Sequence, residues 1–220
     1  MSTADRPLRR DAERNRRLIL DAARDLFAAR GLAVTLDDVA HHAGLGVGTV
    51  YRRFRSREEL INTLFEERVG AIVALAEEGL ACDDPWLGLT RFLESALELQ
   101  AADRGLKELL LGTSEGRDHV ARIKAQMAPL GTELVRRAQA AGALRDDFAP
   151  QDIPLLQMML GAVVDATQPV RPELWRRYLA LIVDGMRADG PRPEPMPIPA
   201  VDFKQLDAVM RAWRPAQRRD

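Results

Sequence analysis

Apolar side chains recur every three or four positions along most of this chain, which is the period of an α-helix that buries one face. The first such stretch places Leu18, Ala22 and Leu26 on one face and ends at Gly31, a residue type that commonly follows the last turn of a helix. Few segments show the strict alternation that is typical of strands. We therefore expect an all-α fold. The predicted helices cover about residues 11–30, 57–81, 86–102, 105–111, 116–141, 152–167, 172–188 and 202–213.

A compact helix-turn-helix motif follows the first helix. Thr35 is suited to cap the first helix of the motif, and Asp38 places a carboxylate in the positively polarised first turn. Gly44 falls in the turn, which needs a residue that tolerates a positive φ. Val50 and Phe54 lie one turn apart and supply apolar contacts for the helix crossing. The second helix of such a motif enters the major groove of DNA.

The residues around this turn resemble the DNA-binding signature of the tetracycline-repressor (TetR) family. In that signature an Ala-Gly pair and a short turn precede a Gly-Thr-hydrophobic-Tyr segment and a Phe, and a basic residue, two acids and Leu open the next helix. The resemblance extends over about residues 12–65 and departs from the family pattern at Gly46 and Val47. The matching residues are Ala43-Gly44, Gly48-Thr49-Val50-Tyr51, Phe54 and Arg57-Glu58-Glu59-Leu60.

A weaker resemblance connects residues 103–110 and 136–156 to a C-terminal domain type that is common in actinobacterial members of the family. Together the two resemblances imply a three-helix DNA-binding domain joined by a long helix to a helical effector-binding and dimerisation domain. They imply a homodimeric transcriptional regulator, most often a repressor, that leaves a palindromic operator when a small molecule enters the helical body. Two other hypotheses stay open: a helical small-molecule-binding or enzymatic domain with a vestigial motif, and a DNA-binding protein without a ligand.

The exposed face of the second motif helix is expected to read bases. Thr49 and Arg52 lie three positions apart on the face opposite Val50. Arginine suits the O6 and N7 atoms of guanine and threonine suits a thymine methyl, although a local backbone hydrogen bond is an alternative for Thr49. The TetR resemblance implies that further residues bind phosphates. The expected contacts are Gly48, Thr49, Arg52 and Arg53 for bases, and Thr35, Tyr51 and Arg57 for phosphates.

The charge distribution favours a nucleic-acid partner at one end of the chain. Of the 220 residues, the first 57 carry 12 Arg and Lys against 7 Asp and Glu, a net charge of +5. The remainder carries 20 against 26, a net charge of −6. A basic end on a mildly acidic body suits a protein that binds double-stranded DNA at that end, whereas a chance excess of surface arginine is the alternative.

The pattern divides the chain into four segments. Five prolines between residues 190 and 199 predict an extended linker, and the helix beyond it can cover either the body or a partner subunit. The segments are a disordered basic arm (1–10), the helix-turn-helix domain (11–57), the effector-binding and dimerisation domain (58–189), and the Pro-rich linker with a terminal amphipathic helix (190–220).

A dimer is expected because one three-helix unit reads only a half-site. The helical hairpin at 152–188 is the best candidate for the interface, since its two apolar stripes can form an intermolecular four-helix bundle. Ordinary packing inside one subunit is the alternative. The expected interface residues are Ile153, Leu156, Leu160 and Val163 on one helix, and Trp175, Tyr178, Ile182 and Met186 on the other.

An effector pocket is expected in the helical body, where the helix that begins at Arg57 would couple it to the DNA-binding domain. The candidate lining residues carry no charge, so we expect a mainly apolar or aromatic effector. The alternative is that all of them are ordinary core residues. The candidates, on helices that the family packs around its cavity, are Phe92, Leu99, Met127, Leu130, Leu134 and Met159.

No catalytic set, cofactor or metal site is predicted. Asp37, Asp38, His41 and His42 recur at a spacing of four, but the solvated face of a helix explains them, and a zinc site needs further ligands. The glycines between 44 and 48 neither follow a strand nor precede Lys-Ser/Thr, so they do not form a phosphate-binding loop.

The cellular location follows from what the chain lacks. The single cysteine, Cys82, allows no intramolecular disulfide and suits a reducing compartment. The arginine-rich start is not followed by the apolar region of a signal peptide, and no window approaches the ~20 apolar residues of a membrane span. We therefore expect a cytoplasmic protein with no membrane partner.

Overall fold

The computed structural model describes residues 5–102, 117–188 and 196–212. These residues form two compact units, the first extending to Arg68 and the second beginning at Val69. All the regular elements within them are helical, so the all-α fold is confirmed. The nine helices of the described residues are α1 (Asp5–Arg30), α2 (Leu36–His42), α3 (Val47–Arg53), α4 (Arg57–Ala81), α5 (Pro85–Ala102), α6 (Arg117–Ala140), α7 (Asp152–Thr167), α8 (Trp175–Gly185) and α9 (Phe203–Ala212).

Most of these bounds agree with the sequence pattern, and helix α4 has the predicted ends. Helix α8 begins three residues later than expected, at Trp175. The short helix predicted at 105–111 lies outside the described residues. Among the described helices, none combines the length and the apolar composition needed to cross a membrane.

Helix α1 differs from the prediction in its start and in its buried face. It begins at Asp5, so residues 5–10 are helical rather than part of a disordered arm. Pro7 does not prevent this, because the N–H groups of a first turn have no partner within the helix. The most deeply buried side chains include Ile19 and Phe27, whereas Leu18, expected to face the core, is 38% exposed. The helical period was therefore predicted correctly, but the buried face is displaced by about one residue from the predicted one.

The first unit is held together by aliphatic side chains from its short elements. Gly31, with a φ of 66°, ends α1 and leads through a single 3-10 turn into Val34. The side chains of Val34, Val39 and Val50 are fully buried. The start of α4 adds Leu60, which is also fully buried, to the same unit.

The second unit contains a close backbone approach between α4 and α5. A Cβ atom at Gly88 would lie 2.2 Å from the Gly79 carbonyl oxygen, and one at Gly79 would lie 2.8 Å from the Gly88 carbonyl oxygen. Helix α6 completes this junction, because the Arg137 guanidinium donates to the carbonyls of Leu80 and Cys82 at the end of α4. These carbonyls have no partner within the helix itself, so the arginine caps it.

We predict that Gly88→Ala destabilises the protein by about 1–3 kcal/mol, because the added methyl group would overlap a backbone atom that cannot rotate away. The measurement is urea unfolding followed by circular dichroism. Gly70→Ala is the matched control, since Gly70 is an exposed residue of α4 with open space around its Cβ position. That change should stabilise the helix by about 0.5–1 kcal/mol. Equal effects of the two substitutions would contradict a close approach at Gly88.

Candidate nucleic-acid interface and ligand cavity

Thr35 caps helix α2, as predicted, and the Asp38 carboxylate completes a capping box that the sequence analysis did not anticipate. The Thr35 N–H and hydroxyl donate to Asp38 Oδ2 at 2.9 and 2.7 Å, and the Asp38 N–H donates to Thr35 Oγ1 at 3.1 Å. These hydrogen bonds, led by the one from the hydroxyl, lower the pKa of Asp38 to about 2. Both Thr35 donors are thus occupied, so its hydroxyl can donate to a phosphate only by leaving Asp38.

The turn between α2 and α3 depends on Gly44. Its φ is 64°, a left-handed conformation that is strained for residues with a side chain, and this agrees with the prediction. Immediately after it, the Leu45 N–H donates to the Ala40 carbonyl at 3.0 Å. The glycine therefore lets the chain reverse while its neighbours keep their hydrogen bonds, and it sets the direction in which α3 leaves the turn.

Helix α3 buries Val50 and exposes the face that was expected to read bases. Tyr51, Arg52 and Arg53 are exposed, and Thr49 is half-buried. Arg52 Nη2 donates to Thr49 Oγ1 at 3.2 Å, so the two residues are neighbours on that face. The Thr49 hydroxyl accepts from this side chain rather than bonding to the backbone. Gly48 is exposed as well, and a Cβ there would meet nothing within 4 Å.

The end of α3 departs from the prediction. Phe54 is buried, but it follows the helix as its C-cap with an extended φ of −127°. Its N–H still donates to the Val50 carbonyl at 2.9 Å. The two apolar side chains therefore share the core without sharing a continuous helical face, because the chain must turn here to start α4.

Two residues that the family resemblance assigns to phosphates also have contacts within the protein. The charge of the Asp37 carboxylate raises the pKa of Tyr51, which keeps the phenol protonated and able to donate. Arg57 is half-buried, and its Nε donates to the Val34 carbonyl at 2.8 Å. Arg57 thus ties the start of α4 to the segment that precedes α2, in addition to any contact with DNA.

The second unit contains a cavity of about 200 Å³. Most of its wall is apolar, and the polar exceptions are two carboxamides and one ion pair. The apolar residues include Ile72 from α4, Phe92 from α5, Ile123 and Met127 from α6, Ile153 from α7 and Leu206 from α9. The polar residues are Gln100, Lys124, Gln157 and Asp207.

Two of the six predicted pocket residues, Phe92 and Met127, line this cavity. Leu99 and Leu130 are not part of its wall. Leu134 is buried at the junction of α4 and α5, with its Cδ2 atom 3.2 Å from the Cβ position of Gly79. Met159 is 49% exposed, because it lies on the outer side of α7. The contribution of α9 was not predicted, because the sequence pattern does not indicate which surface that helix covers.

The hairpin of α7 and α8 also differs from the expectation. Half of the predicted interface residues are buried inside the single chain, so ordinary subunit packing explains them. The exposed apolar side chains are Met159 on α7 and Tyr178 and Leu181 on α8, and Leu181 was not predicted. The buried residues are Ile153, Leu160, Trp175 and Met186, and those of intermediate exposure are Leu156, Val163 and Ile182.

Other candidate groups form no recognisable site in the part of the chain that the structure describes. No three His, Cys, Asp or Glu side chains there come together in a way that could hold a metal ion. His42 lies 3.7 Å from Asp25 on α1, and Cys82 is a half-buried free thiol. Within the described residues, the exposed face of α3 and the cavity are therefore the two candidate functional sites.

Two family models match the sequence. Residues 19–64 match the bacterial regulatory proteins of the tetR family, and residues 84–188 match the SbtR-like transcriptional regulator C-terminal domain. The TetR transcription regulatory protein from Mycobacterium vanbaalenii is 35% identical, with a TM-score of 0.59 over 82% of this chain and 99% of that one. The TetR regulator SCO0520 from Streptomyces coelicolor is 28% identical, with a TM-score of 0.60 over 78% of this chain and 98% of that one.

Similarity to curated proteins is more local. The HTH-type transcriptional regulator SAR0097 from Staphylococcus aureus is 33% identical over 88 residues, which are 39% of this chain and 46% of that protein. The chain thus spans about half the length of this relative. These matches confirm the family resemblance that the sequence analysis drew from the helix-turn-helix residues.

We predict that Thr35→Ala lowers the stability of the first unit by about 1 kcal/mol at pH 7, because α2 loses its cap. The loss should shrink with acid. The folded-state pKa of Asp38 is about 2, below the usual value of 3.8, so the contribution of its carboxylate is complete above about pH 4 and disappears as the pH falls through about 2.

Thermal unfolding followed by circular dichroism between pH 7 and pH 2 checks this. Thr35→Ser is the matched control, since serine keeps the hydroxyl and should behave like the wild type. A stability difference between Thr35→Ala and wild type that stays constant down to pH 2 would show that Asp38 is not the partner.

Proposed function

Because this chain belongs to the TetR family of bacterial regulatory proteins, we propose that it is a homodimeric repressor that binds a palindromic operator and leaves it when a small, mainly apolar effector binds. The coarser function follows from the family: the chain is a transcriptional regulator with a helix-turn-helix DNA-binding domain. The proposal that the chain binds an operator rests mainly on the exposed face of α3. On that face the Arg52 side chain donates a hydrogen bond to Thr49, while Val50 of the same helix is buried.

The chemistry of that face supports base reading. A guanidinium can donate two hydrogen bonds to guanine, and the bond from Arg52 to Thr49 limits the orientations that the arginine samples before DNA arrives. Gly48 lies beside these residues and has no side chain, so the backbone of α3 can approach the DNA major groove closely at this position. Arg53 and Arg55 are exposed nearby in sequence and add positive charge that favours phosphates.

Dimerisation is proposed through α7 and α8. One reading helix contacts one half-site, so a two-fold axis is needed to engage a palindrome. Tyr178 and Leu181 are 42% and 59% exposed, three positions apart on α8, and Met159 is exposed on α7. Apolar side chains of this size, when grouped on one surface, favour burial against a second copy.

Effector release is proposed through the cavity of the second unit. Helix α4 belongs to both units, since its residues up to Arg68 lie in the first and those from Val69 in the second. Ile72 of this helix lines the cavity, so a ligand there contacts the same helix that begins beside the DNA-binding motif. To shift the DNA-competent state from 99:1 to 1:99, the effector must favour the other state by about 5.5 kcal/mol.

We predict that Arg52→Ala weakens operator binding by about 1–3 kcal/mol and relaxes the base preference at one position of each half-site. Genomic fragments selected by the wild-type protein supply the operator, and fluorescence anisotropy with single-base variants measures the preference. Arg91→Ala, which removes an exposed charge from α5, is the control and should change neither quantity. Unchanged affinity and preference in Arg52→Ala would exclude this residue as a base reader.

We predict that Leu181→Glu converts the dimer into a folded monomer and reduces operator affinity at least tenfold, because a carboxylate would be buried in the proposed interface. Light scattering at micromolar concentration should show the wild type at about twice the chain mass of 24.5 kDa. Leu87→Glu, which alters an exposed leucine of α5, should remain dimeric. A dimeric Leu181→Glu protein would place the interface elsewhere, and a monomeric wild type would contradict the dimer itself.

A further inference from the structure

The cavity wall includes the carboxamide of a deeply buried glutamine. Gln100, near the end of α5, is 3% exposed and lines the cavity. Space for this group is provided by Gly161 on α7, where a Cβ atom would lie 2.8 Å from Gln100 Nε2. A carboxamide on a mainly apolar cavity wall can fix the orientation of a ligand, and a ligand group that forms a hydrogen bond with it gains affinity.

A second carboxamide on the cavity wall has a fixed orientation. Gln157 Nε2 donates to the Leu93 carbonyl at 3.2 Å, and only the amide nitrogen can make this bond. Its Oε1 atom is therefore the free end of the group. Oε1 is buried and has no hydrogen-bond partner among the described residues. Two amides, from α5 and α7, thus interrupt a wall that is otherwise mainly apolar.

The charged groups of the cavity neutralise each other. Lys124 on α6 and Asp207 on α9 are its ionisable lining residues, and they form an ion pair. A ligand carboxylate would have to displace Asp207 from Lys124 or enter without a counter-charge, and both are unfavourable. A neutral ligand meets neither obstacle.

We infer that this cavity binds a neutral, mainly apolar molecule with one hydrogen-bonding head group, such as a hydroxyl, that pairs with the Gln100 carboxamide. The inference rests on the proposed effector function, because it names the chemistry of the ligand for the same cavity. A volume of about 200 Å³ holds a one- or two-ring skeleton on the order of ten non-hydrogen atoms. Gln100 is a specificity-determining residue of this site.

The test uses two probes of nearly equal shape, 2-naphthol and 2-methylnaphthalene, which differ in the presence of the hydroxyl. Binding to the full-length protein without DNA is measured by isothermal titration calorimetry. The wild type should bind 2-naphthol more tightly than 2-methylnaphthalene. Gln100→Met keeps the length of the side chain but removes the amide, and it should shift the ratio of the two affinities about tenfold toward 2-methylnaphthalene. Met127→Leu, on the apolar wall, is the matched control and should leave that ratio unchanged.

Charge is tested with 2-naphthoate, which should bind more weakly than 2-naphthol. Tighter binding of the carboxylate would overturn the assignment of a neutral ligand. A ratio that does not change in Gln100→Met would overturn the role of Gln100. If Gln100→Met does not fold, the wild type decides, because a preference for 2-methylnaphthalene would show that no polar group is recognised.

These outcomes are separable from a failure of the proposed function. Operator binding is measured independently by anisotropy, with and without saturating 2-naphthol. Intact operator binding without hydroxyl preference in the cavity overturns the ligand assignment alone. Hydroxyl-selective binding that leaves operator affinity unchanged supports the site and contradicts effector release, since linkage requires ligand and DNA to alter each other's affinity equally.

Discussion

The second unit depends on the close approach of α4 and α5 at Gly79 and Gly88. Each glycine occupies a place where a Cβ would meet a carbonyl of the other helix at 2.2–2.8 Å, so no other residue type fits without a backbone shift. Helix α6 joins the junction through Leu134 and through Arg137, which binds the carbonyls at the end of α4. Helices α4, α5 and α6 also supply much of the cavity wall, which includes Ile72 and Met127. The shape of the cavity therefore depends on a contact between two backbones outside it.

The first unit is organised by local interactions instead. The capping box starts α2, the positive φ of Gly44 turns the chain, and the bond from Arg57 to the Val34 carbonyl fixes the start of α4. None of these needs a distant part of the sequence, which is why a short motif identifies the unit. The structure adds that the Thr35 hydroxyl donates a hydrogen bond to Asp38 and that Arg57 donates one to the Val34 carbonyl. We therefore propose that substitutions of Thr35 and Arg57 would alter DNA binding by displacing α2 and α4, in addition to removing the expected phosphate contacts.

The cavity combines an apolar wall with specific polar chemistry. Its aliphatic and aromatic residues are what the sequence analysis expected of an effector site, yet Gln100 and Gln157 were not among the candidates. A glutamine within an amphipathic helix ordinarily lies at a solvated position. Gln100 is buried because α5 packs against α7, which the sequence pattern does not show. Gln157 Oε1 is buried without a hydrogen-bond partner among the described residues, which is unusual in an ordinary core and supports the proposal that the cavity binds a ligand.

The sequence by itself determined the helical class, the ends of α4, the Thr35 cap, the glycine turn and the family, because each rests on residues close together in the chain. It could not determine which of several apolar faces is buried. Leu18 and Leu160 both follow a helical period, but the first is exposed and the second lies in the core. The periodicity of apolar residues predicts that a helix has an apolar face, but it does not indicate which other helix packs against that face. Only the tertiary structure decided that Ile153 belongs to the cavity and that Leu181 faces outward, since both depend on helices that meet from distant parts of the chain.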